Sequence, residues 1–284
     1  MTELMNGRAL SAKVRESLKE RVERLKANGV VPTLAVILVG DDEASKVYVR
    51  NKHRAAEKIG IRTIDRTLPA TASQEEVIAL IEEYNEDAAV HGILVQMPLP
   101  RHIDEKVIID AINPAKDVDG SHPENMGRLF MNEPRALPCT PRGIMELLDE
   151  YDIDVRGQEV VIVGRSNLVG RPLAALMINS SATVTVAHSV THNLPEVTKK
   201  ADIIVSAVGK PKMIGRDYIK EGAVVIDVGI NRMPDGSLCG DVDEDDVMGH
   251  ASYLTPVPGG VGPMTVAMLM KQTVEFAERS VADA

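Results

Sequence analysis

Two stretches of this sequence carry residue types at spacings that could do chemistry. In the first, Ser45-Lys-Val-Tyr48-Val-Arg-Asn-Lys52, a phenol and an amine stand four residues apart. On a helix, positions i and i+4 share a face, so Tyr48 and Lys52 could position a substrate ring and shuttle a proton. A surface pair with a solvated lysine is the commoner meaning of an isolated Y-x-x-x-K, and it stands beside the functional one. The second stretch is Val161-Ile-Val-Gly164-Arg165-Ser166-Asn-Leu-Val-Gly170-Arg-Pro172. An apolar strand runs into a glycine turn, and Pro172 sits where a first helical turn tolerates proline. Such a turn aims backbone N–H groups and a helix dipole at a phosphate. Ser166 occupies the second glycine position of G-x-G-x-x-G, so the standard fingerprint does not fit, and an ordinary structural turn is the rival.

The strand after that turn bears on the cofactor. Dinucleotide folds for NAD place an acid about twenty residues on, where it accepts from the ribose 2′-OH. Here Val184-Thr-Val-Ala-His188-Ser189 ends without a carboxylate. Arg165 and Ser189 could instead hold a 2′-phosphate, which an acid would repel, so NADP is the cofactor implied. Short-chain dehydrogenases also use Y-x-x-x-K, but after their nucleotide fingerprint; here the pair comes well before it, which argues against that family.

Gln96 closes a strand, where open parallel sheets gather ligand-binding residues. Asp117-Val-Asp119-Gly120 lies in a loop, and a turn role for either carboxylate is the plain alternative. Thr255-Pro-Val-Pro258-Gly259-Gly260-Val-Gly262-Pro-Met-Thr265 is a stiff glycine–proline loop entering the last helix, made for close approach to a ligand or for a structural turn. Other groupings fail. His188 and His192 have i, i+4 spacing, but no Glu follows His188, so this is no zinc-protease helix. Asp241, Asp243, Asp245 and Asp246 lack the glycine of a calcium loop and read as solvated loop and helix-start acids. Cys139 reads as a small buried residue rather than a nucleophile. No metal site is expected.

These residues need elements to hold them. Leu10, Val14, Leu18, Val22 and Leu25 recur at helical spacing and predict a helix over 7–27. Thr33–Val39 is a continuous apolar run, the mark of a strand buried on both faces. A helix over about 44–59 and a strand over 61–67 follow. Ser73 with Glu76 forms a capping box that opens a helix reaching Tyr84, and Gly92–Gln96 is the next strand. Five prolines between Asn113 and Arg142 suggest an irregular segment and a domain junction. Alternation resumes with strands at 159–163, 183–186, 202–205 and 224–228, a helix over 172–178, and a last helix over 264–278. The expected fold class is α/β, in two tandem units with largely parallel sheets.

Composition narrows the function. The 284 residues include 32 Lys and Arg against 42 Asp and Glu, a net charge of −10, which disfavours a nucleic-acid backbone binder. With five Tyr, two Phe and no Trp, rings are too few for a base-stacking platform. Two distant cysteines make no disulfide framework. No apolar run approaches the roughly 20 residues that span a bilayer, and no basic-then-apolar leader opens the sequence. A cytoplasmic protein with no membrane partner is expected.

Taken together, the motifs resemble the bifunctional methylenetetrahydrofolate dehydrogenase/methenyltetrahydrofolate cyclohydrolase family. The resemblance runs nearly end to end. It rests on Tyr48-Val-Arg-Asn-Lys52, Gly92-Ile-Leu-Val-Gln-Met-Pro-Leu-Pro100, Pro114-Ala-Lys-Asp-Val-Asp-Gly120, Gly164-Arg-Ser-Asn-Leu-Val-Gly170 and Pro256-Val-Pro-Gly-Gly-Val-Gly-Pro-Met-Thr265, in this order. It implies a folate-binding catalytic domain of residues 1–138 completed by 264–284, and a Rossmann-like NADP domain of 139–263 facing it across a cleft. It further implies a homodimer acting on tetrahydrofolate one-carbon substrates. The larger trifunctional relatives add a ligase domain with a G-x-x-x-x-G-K-[ST] loop, which this sequence lacks.

The resemblance also implies roles. Lys52, held by Gln96, would have a lowered pKa beside the cationic methenyl product and act as general base, then acid. Tyr48 would pack along the folate ring, and Asp119 would take the pterin amino and N3–H donors on its two oxygens. Pro258, Gly259 and Gly262 would approach the folate. Gly164, Arg165, Ser166, Ser189 and Ile230 would contact NADP. A different NADP oxidoreductase on a similar scaffold, of the shikimate- or glutamate-dehydrogenase kind, is one alternative. A catalytically silent folate binder is another, against which the intact Tyr48, Lys52, Gln96 and Asp119 argue.

Overall fold

The apolar runs form two separate parallel sheets in a computed structural model, which describes residues 1–282. From the N-terminus the chain runs β1 (Glu3–Leu4), α1 (Gly7–Ala27), β2 (Thr33–Val39), α2 (Glu43–Lys58), β3 (Arg62–Leu68) and α3 (Gln74–Glu86). Next come β4 (Gly92–Val95), α4 (Glu105–Ala111), α5 (Pro123–Phe130), α6 (Cys139–Glu150), β5 (Glu159–Val163) and α7 (Gly170–Asn179). Then follow β6 (Thr183–Ala187), α8 (Leu194–Thr198), β7 (Ile203–Ser206), β8 (Val224–Asp227), β9 (Asn231–Arg232) and β10 (Leu238–Cys239). The chain ends with α9 (Glu244–Val247), β11 (Tyr253–Leu254) and α10 (Val261–Ala282). Among the described residues, no helix is long and apolar enough to cross a membrane.

Two compact units divide the chain. Unit I comprises Ala12–Leu137 and the chain from Val266 onward; unit II comprises Met1–Ser11 and Pro138–Thr265. Residues 1–11 group with unit II because β1 pairs with β11, Glu3 opposite Tyr253. The sequence boundaries of 1–138 plus 264–284, and 139–263, differ from these chiefly there.

Unit I is built on a three-stranded parallel sheet in the order β3-β2-β4. All seven residues of β2 are buried, as its unbroken apolar run requires. Ala35, Ile37 and Val39 pack with Val77, Ile81 and Tyr84 of α3 and with Ile93, Val95, Ile108 and Ile112. The capping box holds: Ser73 N donates to Glu76 Oε2 (2.7 Å) and Glu76 N to Ser73 Oγ (3.2 Å), satisfying two otherwise unpaired helix donors.

Unit II carries a six-stranded all-parallel sheet in the order β1-β11-β8-β7-β5-β6, plus the antiparallel β9–β10 hairpin. Strand order reverses at β5, which has β6 on one side and β7 on the other. Ligands of open α/β sheets collect at the carboxyl ends of strands around such a reversal.

The proline-rich stretch 113–142 is not irregular throughout. Pro123 is at the start of α5, where proline loses no hydrogen bond, and His122 caps that helix by accepting from Glu124 N (3.0 Å). Pro138 precedes α6, and Pro141 stands in its first turn.

Candidate active site

Lys52 reaches the edge of the unit I sheet because of where α2 places it. Asp42 caps the helix, its Oδ2 accepting from Ser45 N at 2.7 Å. Ser45, Ala56 and Ile59 are buried, and Lys52 falls seven residues after Ser45 and four before Ala56, on the same face. It is half-buried, and its Nζ donates to Gln96 Oε1 at 2.9 Å.

Gln96 is fixed from both ends. Its backbone N donates to Ile37 O (2.8 Å), extending the ladder one step past β4. Its side-chain Nε2 donates to Met97 O (2.7 Å), which turns Oε1 toward the lysine. Tyr48 lies one turn before Lys52 on the edge of the same face and is 42% exposed, so its ring is open to a ligand.

The Asp119 turn is anchored by buried polar groups: Asp117, which takes the turn role weighed for it, and Asn125 and Gln272, which sequence reasoning missed. Asp117 is 1% exposed and bridges to Ile93 of β4 in parallel register. Its Oδ2 accepts from His122 N (2.8 Å) and Asn125 Nδ2 (2.9 Å), and its carbonyl from Gly120 N (3.2 Å). Gln272, buried in α10, donates Nε2 to Val118 O (2.9 Å) and to Leu137 O (3.0 Å). Asp119, half-buried, is thus held in a turn that starts beside β4. A glutamine on an otherwise apolar helix face was the available signal for Gln272.

In unit II, Gly164 follows β5 with φ +130°, a backbone conformation that glycine adopts without strain. A Cβ there would strike the Ala207 carbonyl, so the Gly164 turn and the loop after β7 are in direct contact. Ser166 closes the turn by accepting Val169 N on Oγ (3.2 Å) and Arg171 N on its carbonyl (3.1 Å). Val169 caps α7 without a side-chain hydrogen bond. Arg165, Ser166 and Ser189 are all exposed. A cationic side chain, two hydroxyls and a helix N-terminus suit the phosphates of a dinucleotide.

The remaining expected site residues also lie in unit II. Ile230, 46% exposed in the loop after β8, stands 3.5 Å from where a Gly262 Cβ would be. Pro258 is exposed. Gly259 sits at φ +128° and accepts from Arg8 N (3.0 Å), so the chain itself uses this turn. The expected folate residues therefore divide, Tyr48, Lys52, Gln96 and Asp119 in unit I, and Pro258, Gly259 and Gly262 in unit II.

One expectation is overturned. Asp241 is not a solvated loop acid but 0% exposed, with five donors on its carboxylate. Asp243, Asp245 and Asp246 do open α9, as read. Cys139 is buried at the start of α6.

The sequence matches two family models: the catalytic domain of tetrahydrofolate dehydrogenase/cyclohydrolase over residues 5–119, and the NAD(P)-binding domain of the same family over 138–281. It is 61% identical over 279 residues to the bifunctional protein FolD of Ligilactobacillus salivarius (strain UCC118), covering 98% of each chain. Its structure is similar to that of the bifunctional enzyme FolD, methylenetetrahydrofolate dehydrogenase/cyclohydrolase, from Campylobacter jejuni, with TM-score 0.97 and 49% identity over 98% of this chain and 99% of that one. It is likewise similar to the Trypanosoma brucei N5,N10-methylenetetrahydrofolate dehydrogenase-cyclohydrolase solved with NADP cofactor and inhibitor, with TM-score 0.94 and 40% identity over 99% and 98% of the two chains.

Proposed function

Because the chain belongs to the tetrahydrofolate dehydrogenase/cyclohydrolase family, we propose how its own residues divide two successive reactions. The enzyme oxidises 5,10-methylenetetrahydrofolate to the 5,10-methenyl compound with NADP, then hydrolyses that product to 10-formyltetrahydrofolate.

The oxidation asks mainly for geometry. NADP, when bound, accepts a hydride from the bridging methylene carbon; the protein's task is to hold the two partners in line. On our reading Tyr48 packs along the folate ring system, and Asp119 takes the pterin's 2-amino and N3–H donors on its two oxygens. Gly164, Arg165 and Ser166 hold the dinucleotide, with Arg165 and Ser189 on the 2′-phosphate and Ile230 against the cofactor. Pro258, Gly259 and Gly262 lie against the folate.

The hydrolysis asks for a proton shuttle. The methenyl product is an amidinium cation. Water adds its oxygen to the bridging carbon and gives up a proton, the C–N5 bond breaks as the new C=O forms, and N5 takes a proton. One proton of the water ends on N5 and the other in solvent, which balances the lost positive charge. Lys52 in its neutral form accepts the first proton and returns it. Gln96 orients the amine by accepting one of its N–H bonds.

The observation that carries this reading is the 2.9 Å Lys52–Gln96 contact at the carboxyl edge of the unit I sheet. Purified enzyme given methylenetetrahydrofolate and NADP should produce NADPH absorbance. Given methenyltetrahydrofolate alone, it should clear the methenyl absorbance faster than buffer does. Lack of either activity overturns the corresponding half.

The resemblance further supports a cytoplasmic homodimer. Light scattering tests the second point, since a particle of one chain mass at working concentration rules it out.

A further inference from the structure

Two buried carboxylates belong to neither residue set above: Asp227 at the end of β8 (3% exposed) and Asp241 just after β10 (0% exposed). Asp241 Oδ2 accepts from Val208 N (2.7 Å) and Gly209 N (3.1 Å), and its Oδ1 from Lys210 N (2.9 Å) and Asn231 Nδ2 (3.0 Å). Ser206 Oγ adds a longer contact at 3.4 Å. Asp227 Oδ1 accepts from Gly229 N (2.9 Å) and Asp241 N (3.0 Å), and its Oδ2 from Val242 N (2.8 Å). Glycines pack directly onto both: a Cβ on Gly229 would strike the Asp241 carboxylate, and one on Gly240 the Asp227 carboxylate.

A charge taken out of water is tolerated only when donors replace its hydration. Here Val208, Gly209 and Lys210 come from the loop leaving β7 and Gly229 from the loop leaving β8, with Asn231 opening β9 and Asp241 and Val242 just after β10, so the two carboxylates hold these segments together. Three successive N–H groups, 208 to 210, converge on one carboxylate, which fixes the loop after β7 as an anion-binding nest. That loop abuts the nucleotide turn through the Gly164–Ala207 contact. The loop after β8 carries Ile230, and its neighbour Asn231 is clamped by the same Asp241 oxygen that receives Lys210 N.

We propose that Asp241, held in place by Asp227, is a positioning residue for the cofactor: its carboxylate ties the loop against Gly164 to the loop that presents Ile230. The proposal rests on the reading of Gly164 and Ile230 as cofactor residues. Asp241 touches neither cofactor nor substrate. Its effect is carried by the spacing of the two loops.

Three variants separate this role from a general structural one and from the reading beneath it. Asp241→Asn replaces one acceptor oxygen with a donor facing N–H groups. Asn231→Ala removes a single half-buried donor and spares the fold if the first variant unfolds. Ile230→Ala probes the cofactor surface directly. We expect Asp241→Asn to raise the KM for NADP roughly tenfold, with kcat at saturating NADP within about threefold of wild type. Asn231→Ala should move KM the same way, by a smaller factor. Unchanged KM in both, with Ile230→Ala raising it, overturns the role of Asp241 and leaves the reading of Ile230 standing. Loss of kcat and of NADP-independent methenyl hydrolysis together with KM marks a merely structural role and also overturns the proposal. If Ile230→Ala has no effect while Asp241→Asn raises KM, the reading of Ile230 falls and Asp241 acts through the Gly164 side alone.

Discussion

Lys52 Nζ donates to Gln96 Oε1 at 2.9 Å, joining the third turn of α2 to the residue just beyond β4. One N–H of the amine is spent on orientation. An amine held in this way fits the general-base role proposed for Lys52.

Lys52→Gln keeps the length and hydrogen bonding of the side chain but cannot titrate. General acid–base groups contribute about 10²–10⁴-fold, so methenyl hydrolysis should fall by that order. Dehydrogenase activity should fall less, and methenyltetrahydrofolate should accumulate, visible by its absorbance. Lys52→Met, which cannot bond to Gln96 either, should lower both. Full enzymatic hydrolysis by Lys52→Gln would assign the shuttle to another group.

Asp119→Ala should weaken folate binding and lower both activities together, since both use the same pterin. NADP affinity by calorimetry should stay near wild type. A folded variant that loses NADP binding instead would remove Asp119 from the pterin site.

Arg165→Ala should raise the KM for NADP by roughly tenfold or more, the usual scale for a lost charge-assisted contact. The KM for NAD, which lacks the 2′-phosphate, should move little, narrowing the preference for NADP. An equal effect on both cofactors would mean that Arg165 does not read the 2′-phosphate.

Burial raises the Asp227 carboxyl from an ordinary 3.8 to about 6, with the Asp241 charge adding to the rise and N–H bonds from Val242, Asp241 and Gly229 opposing it. Between those values the folded chain keeps a proton that the unfolded chain has lost, so this group's contribution is full below 3.8 and is lost as pH rises through about 6. Asp227→Asn cannot titrate. The unfolding free energy of wild type relative to Asp227→Asn should therefore improve by about 2 kcal/mol from about pH 7.5 to about pH 4.5. Denaturant titrations of both proteins at the two pH values measure it; a constant difference would mean that Asp227 titrates outside this window.

Much of this fold was legible in the sequence because the forces that shape its elements are local. Helix α1 begins and ends where the 3.6-residue apolar period does, and β2 where the apolar run does. The Ser73–Glu76 box is chosen by neighbouring backbone, so residue type and spacing announce it. The shared face of Tyr48 and Lys52 was legible too, since it needs only one helix.

What the sequence left open depends on which distant segments meet. Lys52 and Gln96 are 44 residues apart, and while family resemblance implies their pairing, the geometry that makes it follows from α2 packing against β2 and β3, beside the end of β4. Helix α5 was hidden because its proline stands at the start of the helix, where proline carries no penalty. Asp241 was misread for the same kind of reason. In sequence it heads an acidic run, and an isolated carboxylate belongs in water. Only the folded chain brings three consecutive N–H groups and an asparagine amide around it, and a buried charge is stable only where such donors converge.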